Sequence, residues 1–251
     1  MTAGKTSPTP RRPSIYSDFD DAKTRLIAAI HRGPFYGILT GPSGTAKTSL
    51  LRRVAGTCDR HQIQVHYLAS SQASCPGLVR FLADVLHLTP RRTHPETLRS
   101  LCHALRSLPF RLVIFIDEAH LLPVDTIQEA RLLAECELDS PPLFSVLFAG
   151  LPDLKELLDK PVLFPLKRRI SLRLELNGLK KDEVAPFLAS RIDESRGGRL
   201  SPDVVAAIFE RARGIPALVE NLAGLCLESV PGRDPINLES VQEVLELWDM
   251  T

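Results

Sequence analysis

At 251 residues, 44% of them apolar, and with a mean hydropathy near zero, the chain can bury a full core as one large domain or as one medium and one small. A formal charge of +1 excludes a strong global preference for nucleic acid or acidic surfaces, so such contacts would have to come from local clusters. No apolar run approaches the length of a membrane span, and Met1 to Ser14 holds no hydrophobic segment of signal-peptide type, which implies a cytoplasmic protein that stays out of the membrane.

The first fifteen residues carry Lys5, Arg11 and Arg12 with no acid, among prolines, serines and threonines. They read as a disordered basic leader, either inert or touching DNA. Ser17, followed by acids, is expected to cap a helix bearing Phe19, Leu26, Ile27 and Ile30, with Gly33 as its stop. Tyr36 to Leu51, YGILTGPSGTAKTSLL, then runs from a short apolar strand through a glycine loop into a helix. The order strand, G-x-x-x-x-G-K-S/T, helix is a phosphate-binding loop, because successive backbone amides encircle phosphate oxygens and the helix N-terminus adds its dipole. Gly41, Pro42, Ser43, Gly44, Thr45, Ala46, Lys47 and Thr48 fill the pattern, with Leu51 behind them, and one position departs from it. Ala46 stands at the second glycine, where right-handed helical angles are expected to suffice. Lys47 is assigned to the β- and γ-phosphates of ATP and the Thr48 hydroxyl to Mg²⁺.

Ile63 to Ala69 reads as a second strand, and two helices follow, one after Pro76 and one opening at Thr93 and Pro95. Arg111 to His120, RLVIFIDEAH, has the continuous apolar run of a strand buried on both faces, ending in two acids. Asp117 at the carboxyl end of that strand is assigned to Mg²⁺. Glu118 is assigned as the base that polarises the attacking water, since successive strand residues point to opposite faces. Together the two stretches make a Walker A and Walker B pair.

Asp125 to Asp139 is expected to be helical with Ile127, Leu132 and Leu133 inward, Leu143 to Ala149 a buried strand, and Ser171 to Leu176 a final alternating strand. Strands separated by helices give a parallel sheet covered on both faces, an α/β fold. From Leu179 onward the periodicity is helical throughout: near Asp182 to Ser195 with Pro186 close to its start, after Ser201, around Leu218 to Cys226, and from Leu238. The expected organisation is a leader at 1–15, a nucleotide-binding domain at 16–177 and a small helical domain at 178–251. Cys58, Cys75, Cys102, Cys136 and Cys226 lack C-x-x-C spacing and are expected to be reduced, packed thiols that hold no metal.

The motif order GPSGTAKTSLL, VIFIDEAHLL, VLFAGLPDLKELL, LKRRISLRLELNGLKKDEV and ARGIPALVENLA resembles the AAA+ ATPases, a P-loop NTPase fold with a helical lid. More narrowly it is similar to the ExeA/GspA and TniB/TnsC group, which holds a secretion-pathway ATPase and ATPases that accompany transposases. The resemblance implies an ATP-dependent homo-oligomer, ring or filament. Arg169 would then be an arginine finger offered to the neighbouring subunit's γ-phosphate, with Arg168 as the alternative; the two read equally as part of a solvated basic cluster with Lys167. It implies a sensor-1 strand at Phe148 to Gly150, where this chain lacks the usual polar residue and Ser145 is only a distant substitute. Ala217 stands where the group commonly has a sensor-2 arginine, which implies slow hydrolysis, with Arg211 or Arg213 as replacements. The stand-alone branch of the group implies a DNA-binding regulator that brings a transposase to duplex DNA through Arg80, Arg91, Arg92 and Arg99. The alternative it implies is an accessory ATPase of protein secretion, or a remodelling switch, that does not bind DNA.

Overall fold

Five apolar runs become the five strands of one parallel sheet: β1 (Tyr36–Thr40), β2 (Ile63–Leu68), β3 (Arg111–Ile116), β4 (Ser145–Gly150) and β5 (Ile170–Glu175). In the computed structural model the described residues are 16–69, 74–90, 92–135, 141–192, 200–230 and 235–249. The strand order is β2-β3-β4-β1-β5, with each neighbouring pair parallel. Alternation along the inner strands feeds two separate cores. Leu39, Val113, Phe115, Leu147 and Ala149 enter one. Ile38, Leu112, Ile114, Ile116, Val146 and Phe148 enter the other. On the edge strand β5 alternate residues, Ser171, Arg173 and Glu175, are exposed instead, so one face of that strand stays uncovered.

Helices cover both faces. The first core packs under α1 (Ser17–Arg32) and α2 (Lys47–Ala55). The second packs under α3 (Cys75–Val85), α4 (His94–Arg106), α5 (Val124–Ala134), α6 (Asp153–Leu158) and α7 (Phe164–Arg169). After Glu175 the described residues form α8 (Lys181–Arg191), α9 (Pro202–Ala212), α10 (Pro216–Ser229) and α11 (Leu238–Asp249), with one isolated bridge between Leu200 and Ile236. Their apolar faces, among them Val184, Val204, Ile208, Leu222 and Val241, run into the same core as α1 and α2. None of the described helices is long and apolar enough to cross a membrane.

Four local expectations change. Helix α1 starts at Ser17 with Tyr16 in the cap position, and its orphan Ser17 N–H is bonded across the fold by Glu183 Oε1 at 2.7 Å. Leu132 is exposed, because the buried stripe of α5 follows Ile127, Ala130 and Leu133 at helical spacing and leaves Leu132 on the outer side. Pro186 lies inside α8 rather than at its start, so one backbone bond of that helix is lost. Cys102, half-buried on α4, is disulfide-bonded, while Cys58, Cys75 and Cys226 are free; an apolar helical setting does not by itself keep a thiol unpaired. The basic leader, Arg91, Cys136 and Ser195 lie outside the described residues.

Candidate functional site

Parallel pairing brings the carboxyl ends of all five strands to one edge, and the loops leaving β1, β3 and β4 meet there. The Gly41 N–H donates to the Gly150 carbonyl at 3.3 Å, so the glycine loop, as it leaves β1, is tied to the end of the neighbouring strand β4. Within the loop, Thr45 turns back on Pro42 through its hydroxyl at 2.9 Å. Gly44 has φ +82°, a left-handed conformation that side chains resist. The space beside it is already taken: an added Cβ would lie 2.9 Å from Ile215 Cγ2 and 3.0 Å from Ala217 Cβ. Tyr16, buried, closes the other side by donating its hydroxyl to Thr45 O at 2.8 Å.

Ala46 corrects the sequence reading. It sits at φ 67°, ψ 29°, in the left-handed region, because the chain must reverse there before α2 begins. Glycine at this position therefore answers a backbone requirement, and alanine carries strain of about 1–2 kcal/mol. Allowing for glycine's extra unfolded-state freedom, about 0.5–1 kcal/mol, Ala46→Gly should stabilise the protein by about 0.5–1 kcal/mol. A rise in the urea midpoint at constant slope checks this, and a fall would mean that Ala46 is unstrained.

Lys47 is buried, and its Nζ donates to Gly41 O at 2.8 Å and Pro42 O at 2.9 Å. Burial lowers its pKa, and the carboxylates of Glu118 and Asp117 act the other way. Beside it, the Thr48 hydroxyl donates to Asp117 Oδ2 at 2.6 Å. Strands β1 and β3 are separated by β4, hence by about 10 Å. Thr48, in the first turn of α2, closes that gap, so two oxygen donors 69 residues apart in sequence become neighbours.

Asp117 is buried and accepts three hydrogen bonds, one of them from Thr48. Its Oδ2 also accepts the Tyr67 hydroxyl, and its Oδ1 accepts the Glu118 N–H at 2.9 Å. Tyr67, near the end of β2, was not singled out in the sequence. No local signal marked it, because its meeting with Asp117 depends on the register that sets Leu68 beside Ile116 and so brings the end of β2 to the end of β3. Burial and the Asp117 carboxylate both raise the Tyr67 pKa, so it stays a hydroxyl donor. A buried carboxylate beside a threonine hydroxyl is an all-oxygen donor set suited to magnesium.

Glu118 is not part of β3, which ends at Ile116; it has φ 51°, ψ 35°, and its side chain is half-exposed. The divergence of the two acids therefore comes from a left-handed turn rather than from strand pleating, which corrects the argument from alternation. His120 follows in a short 3₁₀ turn, Ala119–Leu121.

The remaining candidates are dispersed. Arg169, at the end of α7, pairs with Glu135 Oε1 at 3.1 Å, and the same carboxylate holds Arg131 at 3.0 Å and the Tyr36 hydroxyl at 3.0 Å. Tyr36 begins β1, so this cluster lies at the end of the sheet opposite the glycine loop. Arg168 is exposed. Ser145 begins β4, also at that far end, where it accepts the Phe35 N–H at 3.2 Å. Ala217 touches the loop, its N–H donating to Gly44 O at 3.3 Å, whereas Arg211 is turned to Leu245 O at 3.3 Å and Arg213 is exposed at the end of α9. Arg80, Arg92 and Arg99 are exposed on or beside α3 and α4.

Residues 31–158 match the AAA domain family. The chain is 26% identical over 221 residues to general secretion pathway protein A of Aeromonas hydrophila. That alignment takes in 85% of this chain and spans 40% of that protein's length. Among solved structures it is similar to Cdc6p from Pyrobaculum aerophilum (TM-score 0.66, 18% identity, covering 96% of this chain and 68% of that one). It is also similar to the Aeropyrum pernix ORC2 protein in ADPNP–ADP complexes (TM-score 0.63, 14% identity, 97% and 70%). At these identities the likeness is one of fold.

Proposed function

Because the chain belongs to the AAA domain family, we propose that it binds ATP on the loop from Gly41 to Thr48 and hydrolyses it, acting as an accessory ATPase of the secretion-pathway kind. The observation that carries the nucleotide reading is the 2.6 Å approach of Thr48 to Asp117 beside the Lys47 ammonium. Thr48 and Asp117 would hold Mg²⁺, which when bound offsets charge on the phosphate oxygens. Lys47 supplies a buried ammonium to the β- and γ-phosphates, the loop amides cradle them, and Leu51 packs behind the loop. Glu118 accepts the proton of the attacking water.

The helices at 178–251 act as a lid over the 16–177 domain. At the phosphate loop they present Ala217 to Gly44, a backbone donor with no guanidinium, and this supports a slow turnover. In a homo-oligomer the finger presented to the next subunit is either Arg169, once it leaves Glu135, or Arg168, which is already exposed. The secretion reading is favoured over recruitment of a transposase because the curated relative matched is a secretion-pathway protein, whereas the motif order is common to both branches of the group.

The deciding experiment measures Mg²⁺-dependent binding of a fluorescent ATP analogue and phosphate release, then binding to duplex DNA with and without ATP across a salt series. The expected result is micromolar ATP binding with slow release and no ATP-dependent DNA affinity. ATP-dependent, salt-sensitive binding would reinstate the transposition reading and the roles of Arg80, Arg92 and Arg99. No nucleotide binding would remove the ATPase reading altogether.

A further inference from the structure

The carboxyl end of strand β4, Phe148, Ala149 and Gly150, runs on into Leu151 and Pro152 and carries no polar side chain. The space at that strand end is filled by His120. A Cβ on Gly150 would lie 3.0 Å from His120 Nδ1 and 3.2 Å from its backbone nitrogen, so a side chain there would crowd the ring. The Leu151 N–H donates to Nδ1 at 3.3 Å. A ring nitrogen that accepts a backbone N–H carries no proton, so the neutral imidazole has its proton on Nε2. Nε2 faces Glu118 Oε2 at 3.6 Å. The imidazole is 9% exposed and the glutamate side chain 50%, which makes the ring the anchored partner and the carboxylate the one that needs anchoring. Gly150 is also the residue whose carbonyl accepts the Gly41 N–H, so the strand end touches the phosphate loop on one side and His120 on the other.

We propose that His120 is a positioning residue for Glu118: seated on the end of β4, its Nε2–H draws the carboxylate toward that strand end and restricts its rotamers to those facing the phosphate loop. The proposal rests on the ATPase reading, since Glu118 needs orienting only if it serves a reaction there. A half-exposed glutamate has several rotatable bonds, and holding it in one arrangement raises the fraction of enzyme ready to react without changing how ATP is held.

Two substitutions separate this role from simple packing. In His120→Asn the amide oxygen lies near the place of Nδ1 and still accepts the Leu151 N–H, but the side chain is too short to reach Glu118. In His120→Gln the amide N–H lies near the place of Nε2 and can still meet the carboxylate. With steady-state phosphate release and fluorescent-ATP titration on the full chain, the Asn variant should lose about tenfold in kcat, with KM and the ATP dissociation constant within about twofold. The Gln variant should recover to within about threefold of the parent in kcat. Equal turnover in the Asn variant and the parent, or equal losses in both variants, overturns the proposal. So does loss of ATP binding together with turnover, which would make the ring structural. Failure of the ATPase reading is distinguishable, because it appears in the parent as absent Mg²⁺-dependent ATP binding and takes this proposal with it.

Discussion

Lys47→Met should weaken ATP binding at least about a hundredfold and abolish turnover while leaving the protein folded. The Lys47 ammonium is buried, and among the described residues its hydrogen bonds go to two carbonyls, Gly41 O and Pro42 O. Its lowered pKa records the cost of that burial, which Glu118 and Asp117 only partly offset. A triphosphate supplies the full counter-charge that the carbonyls lack, so much of the lysine's favourable interaction appears only on binding. A hundredfold loss corresponds to about 2.8 kcal/mol, within the range of charge-assisted hydrogen bonds made out of water. The nucleotide-free fold should lose no more than about 1 kcal/mol, because Met fills similar volume and Pro42 O keeps the Thr45 hydroxyl, leaving Gly41 O as the acceptor that loses its side-chain donor. Titration with a fluorescent ATP analogue, paired with thermal melts with and without Mg-ATP, checks both parts. A variant that binds within tenfold of the parent, or still gains thermal stability from ATP, would show that Lys47 is not the phosphate contact.

Strand positions were legible in the sequence to within two or three residues at each end, because a parallel sheet covered on both faces needs continuous apolar runs such as Leu112 to Ile116. The helical tail was legible for a similar reason: periodic apolar positions such as Val204 and Ile208 after the Ser201 cap have no other use. What composition could not supply was the sign of single φ angles. Ala46 and Glu118 are both left-handed, and neither residue type signals it, since the conformation is imposed by loop closure between elements already placed. Tyr67 escaped for a different reason: its meeting with Asp117 depends on β2 lying next to β3, and strand order is not a local property. Arg169 shows the converse case. A basic residue before a strand was visible, but its pairing with Glu135 required α5 and α7 to converge at the far end of the sheet.

Glu118→Gln should retain ATP binding within about twofold and lose turnover by about a hundredfold or more, the loss expected of a missing general base. The substitution keeps shape and backbone, so the left-handed turn and the N–H donated to Asp117 Oδ1 survive, and with them the Thr48–Asp117 pair that would hold the metal. Only the capacity to accept a proton is lost. The half-exposed side chain suits that role, because a base for water must be reachable by water, whereas the buried and triply bonded Asp117 is arranged to hold a ligand in place. Asp117→Asn is therefore expected to differ in kind, weakening the Mg²⁺ dependence of ATP binding itself. Single-turnover measurements under saturating Mg-ATP separate the two outcomes, since they report the chemical step free of product release. Equal rates in Glu118→Gln and the parent would mean that some other group takes the proton. His120 would then have no carboxylate to position, and the 3.6 Å approach of its Nε2 to Glu118 would be a packing contact alone.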